Sequence, residues 1–112
     1  MKLVTAIIQP EQLENVQKAL VRHGVAGMTI TEVSGYGRQR GHVEVYRGAE
    51  YTIDFIQKVK VEVLVDDAET ETLMGVIIQG AQTGSVGDGK IWVIDVAEVV
   101  RVRTGESGSQ AI

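Results

Sequence analysis

Cysteine is absent from the 112 residues. That excludes disulfides, thiolate metal sites and a cysteine nucleophile, and it leaves the cytoplasm as the default compartment. Aromatic residues are 4% of the chain and the formal net charge is −4. An RNA-recognition sheet would carry more rings and a basic surface, and whole-protein attraction to nucleic acid or anionic lipid is not expected. No apolar stretch reaches membrane-spanning length. Met1-Lys2-Leu3-Val4 does not open a charged region, long apolar run and cleavage site, so no secretory signal is expected. Proline occurs once against 13 glycines. What is present is ordinary: 44% hydrophobic and 23% charged residues describe a globular chain, not a disordered or collagen-like one, and the length suits one domain over 1–112.

The pattern reads as two similar halves. Residues 2–9 suggest a strand that ends before Pro10, which suits the first turn of a helix because its missing N–H costs nothing there. Leu13, Val16, Leu20 and Val21 recur at helical spacing, and Gly24 stands where a C-terminal glycine belongs. Residues 28–34 are β-branched and read as a second strand. The order then repeats. Val59, Val61, Val63 and Val65 alternate with Lys60, Glu62 and Leu64 in a strand over 58–65. Asp66 and Glu69 resemble a capping box, Leu73, Val76, Ile77 and Ala81 form a helical stripe, and Gly84 ends it. Lys90 to Val96 reads as a fourth strand. A short extended run, Val99 to Arg103, precedes a polar tail from Thr104, expected to be loose over about 105–112.

Two such units suggest an α+β, ferredoxin-like βαββαβ sandwich with both helices on one face of the sheet. The other face would be bare, yet the fourth strand is apolar on both sides, with Ile91 and Val93 on one and Trp92, Ile94 and Val96 on the other. Burial of such a surface contributes roughly 25 cal/mol per Å². An oligomer that packs its sheets inward is therefore expected, with a covering loop or C-terminal segment as the alternative.

Between the second and third strands, residues 35–57 show no sustained period, and a loop of that length is usually functional or disordered. Tyr36, Tyr46 and Tyr51, all the tyrosines of the chain, lie here with Arg38, Arg40 and Arg47. Tyrosine and arginine supply interface hot spots, so the segment reads as a flexible partner-binding arm. Val43, Val45 and Ile53 could also pair across Gly48 as a β-hairpin extending the sheet, and a hairpin can itself be the arm.

Gly84-Ser85-Val86-Gly87-Asp88-Gly89-Lys90 fits the first seven positions of a P-loop, but Ile91 replaces the magnesium-binding hydroxyl and the order is helix to strand. It is not a Walker site. Its glycines could still let backbone N–H groups converge on an anion beside Lys90, although such a loop taken alone is more often a plain turn. Arg101 and Arg103, two apart on an extended run, would point the same way and suit a polyphosphate. Gly35-Tyr36-Gly37-Arg38-Gln39 adds a further backbone approach at the base of the arm. No catalytic partner set accompanies these groups: Ser85 and Thr83 lack a base, His23 and His42 have no triad spacing, and no His/Cys/Glu pattern fits a structural metal. His23 is expected on the surface in the last helical turn.

Tyr46-Arg47-Gly48-Ala49-Glu50-Tyr51 and Thr83-Gly84-Ser85-Val86-Gly87-Asp88-Gly89-Lys90-Ile91-Trp92-Val93 resemble the modification signature and the C-terminal signature of the PII nitrogen-regulatory signal proteins. Gly35 to Gln39 and Arg101 to Glu106 also match that family's pattern, in register along nearly the whole chain. The resemblance implies a non-catalytic homotrimer with clefts between subunits where ATP and ADP compete. It places Thr29 and the backbone at Leu64 at the adenine, and Gly35, Tyr36, Gly37, Arg38 and Gln39 at the arm's base. It sets Gly87, Asp88, Gly89 and Lys90 around the phosphates, with Arg101 and Arg103 reaching them from the adjacent subunit. It implies that 2-oxoglutarate binds only with Mg-ATP, at Gln39, Lys58 and Gly87, with Gln39 a magnesium ligand. Residues 37–58 would dock on partners such as an ammonium channel, a nucleotidylyltransferase or a regulator of glutamine metabolism, and Tyr51 would be nucleotidylylated. Contact with nucleic acid is not implied, and contact with a membrane arises only through a channel partner.

Several positions depart from that pattern. Gln9 stands where a basic residue is usual, Glu11 where phenylalanine is, Ser85 for lysine and Gln57 for proline. Nucleotide binding is expected to survive, with 2-oxoglutarate sensing weakened by the missing cation at Gln9. The competing reading from another class is a ferredoxin-like amino-acid-binding regulatory module without nucleotide sensing.

Overall fold

The structure is a computed structural model that describes residues 1–36, 42–46, 49–53 and 55–112, with side chains for 1–36 and 55–112. Strand β1 (Lys2–Ile8) buries Val4, Ala6 and Ile8, the alternate positions of one pleat. Pro10 opens a 3-10 turn (Pro10–Gln12) that leads into helix α1 (Leu13–His23), so its missing N–H breaks no ladder. Val16 and Leu20 are fully buried, whereas Val21 is 59% exposed and lies outside the stripe read from sequence. Gly24 ends α1 at φ 104, as expected, with the Gly24 N–H on the Val21 carbonyl and the Val25 N–H on the Leu20 carbonyl, 3.0 Å each.

Strand β2 (Thr29–Tyr36) runs beyond the sequence estimate and enters the base of the arm. Within the arm, β3 (His42–Tyr46) and β4 (Ala49–Ile53) form an antiparallel hairpin in which Val43 faces Thr52 and Val45 faces Glu50. A hairpin does form, but as a separate two-stranded sheet and not as an extension of the main one. Strand β5 (Phe55–Val65) is also longer than expected: its pairing with β2 continues through Gly35–Ile56 to Tyr36–Phe55. Strands at both ends of the arm are thus drawn into the main sheet.

The second half follows with helix α2 (Thr70–Ala81) and strand β6 (Gly89–Asp95). The four-stranded sheet has the order β2-β5-β1-β6, all antiparallel, which is the ferredoxin-like arrangement. Register places Val4 opposite Val63 and Val93, and Ala6 opposite Val61 and Ile91, so these residues share one face. Both helices pack there, contributing Val16, Leu20, Leu73, Ile77 and Ala81 to a single core. The helices meet closely: a Cβ on Gly80 would lie 2.9 Å from the Val16 Cα.

Four local expectations are corrected. The Asp66–Glu69 capping box does not form; Asp66 makes no side-chain cap, and its carboxylate accepts a 2.7 Å hydrogen bond from the Ser109 hydroxyl instead. Gly84 does not end α2, which stops at Ala81 and turns out through an extended Gln82. Val99 to Arg103 is not an extended strand: Val100 bridges Ser107, and the chain turns back between them. The segment read as a loose tail carries a 3-10 helix at Gly108–Ala111, held at Ser109 by Asp66.

The face opposite the helices carries Leu3, Thr5 and Ile7 of β1 beside Leu64, Glu62 and Lys60 of β5 and Ile94, Trp92 and Lys90 of β6. The C-terminal segment does not cover this face, since Trp92 is 45% and Ile94 51% exposed, and most of the loop named in the same alternative lies outside the described residues.

Candidate ligand-binding clefts

The loop from α2 to β6 is built around one carboxylate. Asp88 accepts from the Thr83 N–H at 2.7 Å, the Thr83 hydroxyl at 2.5 Å, the Gly84 N–H at 2.8 Å and the Gln9 side-chain amide at 2.8 Å. The Thr83 hydroxyl and its backbone N–H, set against a smaller desolvation cost, hold the Asp88 carboxyl down at about 2. The convergence of backbone donors expected in this loop is therefore real, but the Thr83 and Gly84 donors converge on the chain's own carboxylate. Asp88, expected among the residues around the phosphates, thus uses its side chain on the loop itself. Its own N–H bonds to the Ser85 carbonyl at 3.3 Å.

Gly87 and Gly89 follow at φ 104 and 105, conformations that other residues rarely adopt. At Gly89 the constraint is also steric, since a Cβ would fall 1.7 Å from the Ile7 carbonyl oxygen. The close approach lets β6 begin flush against the end of β1.

Lys58 stands on the open sheet face, 8% exposed, and its Nζ donates to the Gly87 carbonyl at 2.6 Å. This contact joins the base of the arm to the glycine loop, two segments 29 residues apart. Gly35, Tyr36, Lys58, Gly87, Gly89 and Lys90 line one cleft of about 660 Å³, together with Ile7, Ile56, Val86 and Trp92. Among the described residues its charged lining residues, Lys58 and Lys90, are both cations, in a chain of net charge −4. Lysine ammoniums with glycine backbone beside them suit an anion, and a polyphosphate or a dicarboxylate fits this donor set. Tyr36 and Phe55 lie at the cleft's arm side, 73% and 71% exposed, with ring centroids 6.3 Å apart.

Thr29 and Leu64 line a second, larger cleft of about 1100 Å³ between the end of α1, the β2–β5 edge and the C-terminus. Gly27, Met28, Ala111 and Ile112 share it. His23 lies here too. It is exposed, as expected, with Nε2 3.5 Å from a Glu69 carboxylate oxygen. Arg101 and Arg103 line neither cleft. Arg101 is bound within its own chain, donating from Nη1 to Glu106 at 3.1 Å and from Nη2 to the Gln110 carbonyl at 2.7 Å. The turn at 102–104 removes the parallel display of Arg101 and Arg103 expected from an extended strand.

Gly37, Arg38 and Gln39, including the expected magnesium ligand, lie outside the described residues, as does the side chain of Tyr51, whose backbone is in β4. Among the described residues no group of three His, Cys, Asp or Glu side chains is placed to hold a metal ion. Among them, too, no helix is long and apolar enough to cross a membrane.

Sequence reasoning missed Ile7, Ile56, Val86 and Trp92 as cleft residues, and Glu106 and Gln110 as holders of Arg101. The alternation in β1 and β5 was a usable signal for the first group, since Ile7 and Ile56 share the open face with Lys58.

A four-stranded ferredoxin-like sheet with two helices on one face and a cleft lined by Lys58 and Lys90 defines an α+β domain suited to holding an anion. Residues 1–106 match the model of the family "Nitrogen regulatory protein P-II". Nitrogen regulatory protein P-II 1 of Escherichia coli is 55% identical over 112 residues, all of both chains, and P-II of Pasteurella multocida is 52% identical over the same full span. The crystal structure of Arabidopsis thaliana PII bound to citrate is similar at a TM-score of 0.82 and 38% identity, over 99% of this chain and 91% of that one. The chain belongs to the P-II nitrogen regulatory protein family, whose named members are regulatory proteins rather than enzymes.

Proposed function

We propose that this chain is a trimeric cytoplasmic sensor that reads ATP against ADP and responds to 2-oxoglutarate, passing the result to target proteins through the arm at 37–58. The observation that carries the reading is the cationic cleft where Gly35, Lys58, Gly87, Gly89 and Lys90 meet. In one copy this cleft is half of a site. Thr29 and Leu64, the residues expected at an adenine, line another cleft, and Arg101 lines neither. A ring of copies joined head to tail would bring the phosphate-type cleft of one against the base-type cleft of the next. The exposed Trp92 and Ile94 supply apolar area for such packing.

In this reading Gly87, Gly89 and Lys90 receive phosphates, while Asp88 keeps the loop in shape. Lys58 offers its ammonium to a ligand carboxylate, and Gln39 completes the magnesium site when Mg-ATP is bound. A carboxylic acid on the Arabidopsis relative, citrate, is of the same chemical class as 2-oxoglutarate. Ligand at the arm's base shifts the arm only by its differential affinity for the arm's conformations. The arm then docks on or leaves an ammonium channel, a nucleotidylyltransferase or a regulator of glutamine metabolism. Nucleotidylylation of Tyr51 would add charge and bulk at the docking surface. Gln9 offers an amide where relatives of the usual pattern offer a cation, so 2-oxoglutarate sensing is weakened.

Light scattering and titration calorimetry test this together. The expected result is a species of three times the 12.1 kDa chain, competition between ATP and ADP, and 2-oxoglutarate binding that requires Mg-ATP and is weaker than in relatives with a basic residue at position 9. A single-copy species indifferent to both nucleotides would overturn the reading and favour an amino-acid-binding module.

A further inference from the structure

The C-terminal segment forms a hook around one side chain. Arg101 donates its N–H to the Glu106 carbonyl at 2.8 Å, and the Gly105 N–H returns to the Arg101 carbonyl at 2.8 Å. The Gly108 N–H closes on the Val99 carbonyl at 3.0 Å, beside the Val100–Ser107 bridge. Inside this turn the guanidinium is gripped twice, by the Glu106 carboxylate at 3.1 Å and the Gln110 carbonyl at 2.7 Å. The hook is fastened to the body of the fold where the Ser109 hydroxyl meets Asp66, just beyond β5. Its last residues, Ala111 and Ile112, line the same cleft as Thr29 and Leu64.

An arginine side chain has five N–H donors and considerable rotamer freedom. Two of those donors are used here and fix the plane of the fork. A phosphate that meets a guanidinium already held does not bear the cost of ordering it.

We propose that Glu106 and the Gln110 carbonyl are positioning groups for Arg101, and that the hook sets this guanidinium and the wall of the Thr29–Leu64 cleft as one unit for nucleotide recognition. The inference rests on the nucleotide reading above. Glu106 touches no phosphate; it acts through Arg101.

A double-mutant cycle on the full chain decides it, with ATP as the probe in titration calorimetry. E106A is expected to weaken ATP about 5- to 10-fold, the range of a 1–1.4 kcal/mol interaction. E106Q, which keeps an acceptor oxygen, falls between E106A and the parent chain. In an R101A background the E106A change has no further effect, because there is no guanidinium left to place. Subunit number and nucleotide-free melting temperature stay as in the parent. Equal or tighter ATP binding by E106A would overturn the proposal, as would the same loss with or without Arg101, which would mark Glu106 as merely structural. A parent chain that does not bind ATP would sink the nucleotide reading and this inference with it; a parent that binds while E106A is indifferent would sink the inference alone.

Discussion

The glycine loop at 83–90 and the C-terminal hook at 99–112 are both turns closed by a carboxylate, and they use it differently. Asp88 is satisfied from within: backbone and hydroxyl donors of Thr83 and Gly84 converge on it, with Gln9 as the outside partner. Glu106 instead faces a mobile cation on a long stem, Arg101. The first arrangement makes a loop rigid by local geometry and leaves the neighbouring glycines to present backbone. The second aims a side chain. The same charged group builds a scaffold in one place and positions a donor in the other, and the difference lies in what donates to it.

Gly89→Ala in the loop is expected to have the largest effect. A Cβ there meets the Ile7 carbonyl at 1.7 Å and also requires φ 105, so a loss of roughly 3 kcal/mol or more follows, read as a large fall in denaturation midpoint. Gly105→Ala in the hook is the control: φ is 72, but nothing lies within 4 Å of the added Cβ, so only about 1 kcal/mol is expected. Equal losses at the two glycines would erase the contrast between a packed loop and an open hook.

Asp88→Asn stands between them. It keeps the shape but turns two of the acceptor contacts against donors, and a loss of several degrees in melting temperature with weaker ATP binding is expected. Acid should do the same reversibly. The Asp88 carboxyl is held below its ordinary 3.8, at about 2, so it binds fewer protons folded than unfolded and its contribution is complete above about pH 4. That contribution is lost as pH falls from near 3.8 towards 2. Acid unfolding of D88N monitored by circular dichroism should lack this component; an unchanged profile would count against the Asp88 scaffold.

The smallest effect is expected at Gln9. Gln9→Ala removes a contact that Asp88 receives from outside its loop, at about 0.5 kcal/mol, the low end for one hydrogen bond. Gln9→Lys should cost less still and should tighten 2-oxoglutarate binding in the presence of Mg-ATP. No gain in 2-oxoglutarate affinity would show that position 9 does not set it.

Much of this was legible in the residues. The valine alternation at 59–65, the stripe at Leu73 and Ile77 and the terminating Gly24 report burial and chain reversal, which depend on nearest neighbours in sequence. Gly35, Gly87, Gly89 and Lys90, which line the first cleft, belong to motifs readable as strings, whereas Lys58 was reached only through the family resemblance. Less visible were features that depend on distant partners. The capping reading of Asp66 failed because a hydroxyl 43 residues away competes for the carboxylate. Arg101 and Arg103 looked parallel because a two-residue period was assumed where the chain turns. Val21 fits the helical stripe by spacing but is 59% exposed, so its position along the helix is not one that the core covers.

By itself, the amino-acid order determined the two main helices, the core strands, the identity of the buried face and the family, since periodicity and motif are local properties that side-chain chemistry enforces wherever the chain is. Only the tertiary structure decided that Lys58 reaches the Gly87 carbonyl, that Asp88 serves its own loop and that Arg101 is held by Glu106 and Gln110. Hydrogen bonds require distances near 3 Å, and proximity on that scale between separate segments is created by packing the core, not by position along the chain.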